Sequence, residues 1–140
     1  MGLYKKKHYY RTSIYYEDTD AGGIVYHTSY LRFAERARTE LIKSIFPKFL
    51  NSIKDGSHFF VLRRLEIKFL KPCYLYDEIV VETKILKIKK TYLQLNQTIK
   101  KNKLLVCDIL LDLVWISKKN KSPTLINEDL ISRFKKNYIV

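Results

Sequence analysis

Residues 15–40 read YYEDTDAGGIVYHTSYLRFAERARTE, and the character of the run changes halfway along it. Residues 17–23 (EDTDAGG) are a cluster of loop formers that no strand extends through. Beyond them apolar residues return at helical spacing. Tyr30, Phe33, Ala34, Ala37, Leu41 and Ile45 fall at i, i+3, i+4, i+7, i+11 and i+15, one stripe of a helix. The spacing predicts one helix of about four turns, stopped by Pro47. Thr28 or Ser29 is placed to cap it, a hydroxyl accepting from a free amide of the first turn. Arg36 and Glu40 stand at i,i+4 on the outer face, and Glu35 lies three residues from both Arg32 and Arg38, the spacing of a salt-bridged face.

On either side of this run the signal is strand. Residues 8–16 (HYYRTSIYY) are aromatic and β-branched. Residues 58–70 place Arg63, Leu65, Ile67 and Phe69 on one face against Arg64, Glu66 and Lys68. Residues 77–89 put Ile79, Val81, Thr83 and Ile85 on a common face, and 92–100 alternate again after the basic corner 87–90. The segment KKNK (100–103) suits a hairpin turn at Asn102. It leads into residues 104–117 (LLVCDILLDLVWIS), the most apolar strand and so the most central. A short helix over roughly 127–137, capped by Asn127, closes the chain. The order is strand, long helix, then four strands running as consecutive hairpins. A lone helix must bury its stripe on the inner face of such a sheet, which makes this an α+β domain of one helix wrapped by a curved antiparallel sheet of about five strands.

A chain of 140 residues, 46% of them hydrophobic, suffices for one domain and one core over 1–140. No apolar run reaches the roughly 18 residues of a membrane span, and the basic start (MGLYKKKHYYRTS) lacks the apolar stretch of a secretion signal. Cys73 and Cys107 have no metal-ligand spacing and read as reduced buried thiols, so the expected compartment is the cytoplasm. The net charge of +13 fits a nucleic-acid binder, a lipid-surface protein or an enzyme for a polyanionic substrate, and equally a merely lysine-rich protein. No triad, nucleophile elbow, phosphate loop or dinucleotide fingerprint is present.

The chemistry concentrates in residues 17–29. Glu17, Asp18 and Asp20 precede Gly22 and Gly23, which permit positive φ and close approach of a ligand to the main chain. The helix that follows offers unpaired amides and the positive end of its dipole. A carboxylate beside such amides can attack or activate water while the amides hold a developing oxyanion. The same residues also make an ordinary capping loop, and spacing alone leaves both open.

The run 15–40 resembles the signature of YbgC-type acyl-CoA thioesterases, of the hotdog superfamily that includes hydroxybenzoyl-CoA thioesterase. Asp18, Asp20, Gly23, Val25, Tyr26, His27, Tyr30, Glu35, Arg36, Ala37 and Arg38 carry the likeness, and FVLRRLEIKFLKP (60–72) resembles the family's second strand. The resemblance implies a hotdog fold and an enzyme that hydrolyses acyl-CoA without metal or cofactor. It places the catalytic carboxylate on Asp20, as nucleophile or general base, and the thioester-binding amide on His27, whose imidazole can assist. Gly23, Val25 and Tyr26 are then substrate-binding, with Glu35 as a rival catalytic acid on the helix. Lys89 and Lys90 stand where the family's CoA-phosphate cluster lies, ahead of Arg63, Arg64 and Lys71. It further implies a homo-oligomer, a dimer of dimers with the site between subunits, so that Asp20 and Lys89 meet across an interface. The competing reading is a non-catalytic hotdog binder of acyl-carrier thioesters or nucleic acid. With the thioesterase reading, acyl-CoA is the expected partner and nucleic acid is not.

Overall fold

A computed structural model of the chain describes residues 6–138. The predicted stripe is the buried face of α1 (Ser29–Ile45), where Tyr30, Phe33, Ala34, Ala37 and Leu41 are buried and Ile42 joins them. The start of the helix differs from expectation. Thr28 occupies the cap position with helical backbone angles and no side-chain cap bond, and the Ser29 hydroxyl donates instead to the Asp18 carbonyl at 3.0 Å. The outer face differs too. Glu40 pairs with Lys43 (3.6 Å), while Arg32 and Arg38 turn to Ser29 and Gln97 and leave Glu35 outside ion-pair distance. A six-residue helix, α2 (Phe49–Lys54), follows Pro47; it is too short to show a period, and it forms because Phe49 packs on Trp115 with ring centres 5.2 Å apart.

The strands are β1 (His8–Ser13), β2 (His58–Phe69), β3 (Glu78–Ile88), β4 (Tyr92–Lys101) and β5 (Leu104–Ser117), with a two-residue β6 (Ser122–Pro123) against the end of β5. Their order across the antiparallel sheet is β1-β3-β4-β5-β2. Of the expected hairpins, β3–β4 and β4–β5 exist, the second turning at Asn102 and Lys103, which both take positive φ. The expected β2–β3 hairpin does not. β2 pairs with β5 at one edge, β3 pairs with β1 at the other, and residues 70–77 cross between them. Alternation within a strand specifies a face but not a neighbour, which is why the crossover escaped the pattern. β5 is interior, as expected, with β4 holding the middle place.

α1 lies on the concave face, above Val81 and Ile85 of β3, Leu93, Leu95 and Ile99 of β4, and Ile109, Leu111 and Leu113 of β5, all buried. α3 (Glu128–Tyr138) closes one end with Leu130, Phe134 and Tyr138, and its first turn is capped as expected, Asn127 Oδ1 accepting from the Leu130 amide at 3.1 Å. The inner face has one polar interruption. Gln97 and Thr83, opposite one another and fully buried, join through Gln97 Nε2 to Thr83 Oγ1 (3.0 Å) and to the Ala34 carbonyl (2.9 Å). Cys73 and Cys107 are buried and unpaired. No helix among the described residues is long and apolar enough to cross a membrane.

Phe33 is fully buried where α1 meets the sheet. Phe33→Ala is expected to destabilise the fold by about 3–5 kcal/mol, read as a lowered midpoint in urea denaturation.

Candidate active site

The loop between β1 and α1 is held in place from both ends. At its start, Asp18 is 3% exposed and ties three pieces of chain together. Its Oδ2 accepts from the Tyr15 amide (2.9 Å), and its carbonyl accepts from the Tyr26 amide (3.1 Å) and the Ser29 hydroxyl. Asp18 Oδ1 has no hydrogen-bond partner; its nearest cation is Arg32, 3.9 Å away, whose guanidinium donates to Ser29 Oγ at 2.7 Å. Asp18 thus secures the loop to the first turn of α1, while Glu17 is exposed.

At its far side, the loop is zipped to the segment that enters β3. The Val25 amide donates to the Cys73 carbonyl (3.0 Å) and the Leu75 amide to the Gly23 carbonyl (2.9 Å). The Tyr30 hydroxyl, whose pKa burial pushes above its ordinary value, bonds the Cys73 thiol and links the helix start to the same segment.

Asp20 stands in the turn between these anchors. Its Oδ1 accepts from the amides of Gly22 (2.8 Å) and Ile24 (3.1 Å), and Oδ2 makes no hydrogen bond among the described residues. Gly23 takes φ +77°, which favours glycine, and a Cβ on Gly22 would lie 3.3 Å from Asp20 Oδ1. The two glycines serve different needs, one a backbone angle and the other the approach to the carboxylate. The result is a half-exposed aspartate with one oxygen fixed and the other open.

His27 lies at the entrance to α1, exposed, its ring edge-on to Phe69 at 6.0 Å. The amides of His27 and Thr28 donate to no other group among the described residues. They are free to receive an oxyanion at the positive end of the helix. Beside them is a cleft of about 340 Å³ lined by Ile24, Val25, His27, Tyr30, Phe69 and Lys71, among others. Val25 is mostly core, and Tyr26 is half exposed with its amide committed to Asp18. Gly23 N–H bonds the Asp20 carbonyl and is not free for a ligand.

One chain does not assemble every predicted residue. Asp20 lies outside the wall of the His27 cleft, in the turn that carries Ile24 and Val25. Lys89 and Lys90 are exposed in the β3–β4 turn, at the opposite end of β3 from the Asp20 loop. Eleven residues of strand separate the two ends, roughly 33 Å at about 3.3 Å per residue. The cation beside the cleft within the chain is Lys71. Sequence reasoning also missed the inward turn of Arg38, whose Nη1 donates to buried Gln97 Oε1 at 2.9 Å. The signal was present: Arg38 is four residues after Ala34 and eight after Tyr30, on the flank of the buried stripe.

The thioesterase superfamily matches residues 22–107 of the chain. Among relatives, the acyl-CoA thioesterase YbgC of Haemophilus influenzae is 30% identical over 121 residues, covering 86% of this chain and 89% of that protein. A probable thioesterase from Bartonella henselae superposes with a TM-score of 0.78 at 27% identity, over 86% of this chain and 99% of its own. A 1,4-dihydroxy-2-naphthoyl-CoA thioesterase from Synechocystis shares the fold at TM-score 0.85 and 19% identity, over 94% and 97% of the two chains. The helix wrapped by a curved antiparallel sheet is therefore the hotdog fold, and the chain belongs to the thioesterase superfamily and, within it, to the YbgC family.

Proposed function

We propose that this protein hydrolyses acyl-CoA thioesters to a free acid and CoA, with Asp20 as the reacting carboxylate. The observation that carries the reading is the split environment of that side chain. Two backbone amides hold Oδ1, while Oδ2 is open, on the turn leading to a helix start with unused amides. The relative in Haemophilus influenzae, an acyl-CoA thioesterase, supports the same substrate class.

In this reading the thioester carbonyl oxygen sits on the His27 amide. Negative charge building there meets the positive end of the α1 dipole, an interaction stronger in the transition state than in the ground state. Asp20 Oδ2 takes a proton from water as the water oxygen bonds the carbonyl carbon, or bonds that carbon itself and gives a mixed anhydride that water then opens. In either route the C–S bond breaks and CoA leaves as the thiolate, which takes up a proton. No resident metal or cofactor is required, since carboxylate, amides and water supply every step.

The CoA phosphates need cations. Lys71 lies beside the cleft, and Lys89 and Lys90 reach it only from a second copy of the chain. Assembly is consistent with the uncovered edge. β2 pairs on one side only, and Leu65 (37% exposed) and Phe69 (50%) leave its apolar face open. We assign the working form to a dimer formed on this edge and paired again into a dimer of dimers, acting in the cytoplasm, with acyl-CoA and not nucleic acid as its partner.

Asp20→Asn is expected to lower kcat on acyl-CoA by about 10²–10⁴-fold with an unchanged melting temperature. His27→Ala, which keeps the backbone amide, should cost far less. A parental rate in Asp20→Asn would sink the reading. Leu65→Lys should shift size-exclusion elution toward the 16.8 kDa monomer and reduce activity with it; an unchanged elution volume removes the β2 edge as the interface.

A further inference from the structure

A second cavity, of about 550 Å³, opens further along the seam between α1 and β2. Its walls are mostly apolar: Ile42 of α1, Leu50 and Ile53 of α2, Phe59 and Leu62 of β2, and Leu113 of β5. Glu35, Arg38, Thr39 and Lys54 are its polar members. Arg38 also borders a small inner extension, where its neighbours are Leu41, Ile85, Leu93, Leu95 and Phe134.

Arg38 keeps most of its donors open to this cavity. A guanidinium carries five N–H donors, and among the described residues one bond is made, from Nη1 to the neutral Gln97 carbonyl oxygen at 2.9 Å. That Gln97 oxygen is held in place, because its Nε2 is committed to Ala34 and Thr83. No carboxylate among the described residues lies within ion-pair distance of Arg38. Glu35, three residues earlier, is exposed on the rim; its charge acts only at range, and burial lowers the Arg38 pKa from its ordinary value. The side chain is still a cation at any physiological pH. A guanidinium whose open donors face a largely apolar cavity is placed to take a bound oxygen acceptor, preferably an anion.

Position says which acceptor. Tyr30 and Phe69 line the His27 cleft, and Arg38 lies eight residues beyond Tyr30, about 12 Å along the helix axis at ~1.5 Å per residue. Both openings flank the same α1–β2 seam, so an acyl group whose thioester sits on the His27 amide has the apolar seam for its body and Arg38 at its end. We propose that the seam cavity receives the distal end of the acyl group, and that Arg38 selects acyl chains ending in an oxygen acceptor, a terminal carboxylate above all. The proposal rests on the acyl-CoA hydrolase reading and deepens it by naming the substrate class. Arg38 is here a specificity residue that touches the far end of the substrate, away from the reacting atoms.

The test is a matched series on the intact oligomer: adipoyl-CoA against hexanoyl-CoA and suberoyl-CoA against octanoyl-CoA, each followed by release of free thiol. The expected result is a kcat/KM ratio at least ~10-fold in favour of the carboxylated member of one pair, since a site that hydrogen-bonds its substrate discriminates strongly against an analogue lacking the group. In Arg38→Met that ratio should fall below one, and in Arg38→Lys, which keeps charge but loses the fork, it should fall part of the way. The wild-type pairs decide the matter even where Arg38→Met fails to fold. Equal rates within both pairs, or a preference for the plain chains, overturn the specificity proposal and leave the hydrolase reading standing. Equal rates together with dissociation of the Arg38→Met oligomer overturn it as well, by giving Arg38 to a subunit contact. Failure to hydrolyse any of the four removes the hydrolase reading and this proposal together.

Discussion

Everything in this fold follows from one helix having to cover the concave face of a five-strand sheet. Among the described residues the stripe from Tyr30 to Leu41 is the only apolar helical surface long enough to do so, and each of its larger side chains contributes about 1.5–3 kcal/mol by leaving water. A 17-residue helix is about 25 Å long, so its two ends reach the two rims of the sheet. The chain must then enter the helix at one rim and leave at the other. That places the Asp20 loop against residues 73–77 at the base of β3, and it sends β2 to the edge beyond β5. The site is where it is because the helix begins there.

The two aspartates of the DTD triplet separate for the same reason. The chain turns sharply between β1 and α1, and something has to satisfy the backbone groups inside the turn. Asp18, pointing inward, does this through its carboxylate and its carbonyl, binding Tyr15, Tyr26 and Ser29. Asp20, two residues on, faces the other way and is left half exposed. Residue type is the same and role is opposite. The Ser29 hydroxyl is occupied in this clamp and does not cap α1, and the amides of His27 and Thr28, which precede the helix, have no acceptor among the described residues.

What was legible in the sequence was whatever a short window encodes. The stripe of α1, the Asn102 turn, the Asn127 cap and the alternation of β3 to β5 are local, and each lies where spacing put it. The family likeness added the identity of the loop and the hotdog architecture. What escaped depends on partners distant in sequence. The β2–β3 crossover is a choice of neighbour, 49 residues apart at Arg63 and Asp112, which no alternation encodes. Glu35 has arginines at helical spacing, yet both are drawn away, Arg32 by buried Asp18 and Arg38 by Gln97, 59 residues on. Near-neighbour pairs on a helix surface gain only a few tenths of a kcal/mol, so a buried partner elsewhere wins. Lys89 and Lys90 were placed by analogy of position, and the length of β3 is what keeps them from Asp20 within one chain.

A charge of +13 opposes self-association in general, but the proposed β2 edge carries only a small share of it. On that edge Arg63 is paired with Asp112 (3.3 Å) and stacked over Tyr92, and Arg64 is paired with Glu66 (2.6 Å). Most of the surplus is elsewhere: Lys118, Lys119 and Lys121 after β5, Lys135 and Lys136 on α3, Lys87, Lys89 and Lys90 at the β3–β4 turn. At physiological salt such charges are screened beyond about 8 Å, so lysines remote from the edge do little to separate two copies meeting there. The edge itself presents unpaired backbone, apolar Leu65 and Phe69, and two arginines compensated within the chain, with Lys68 exposed beside them. The proposed β2 seam therefore carries only a small part of the net charge, most of which lies elsewhere on the surface.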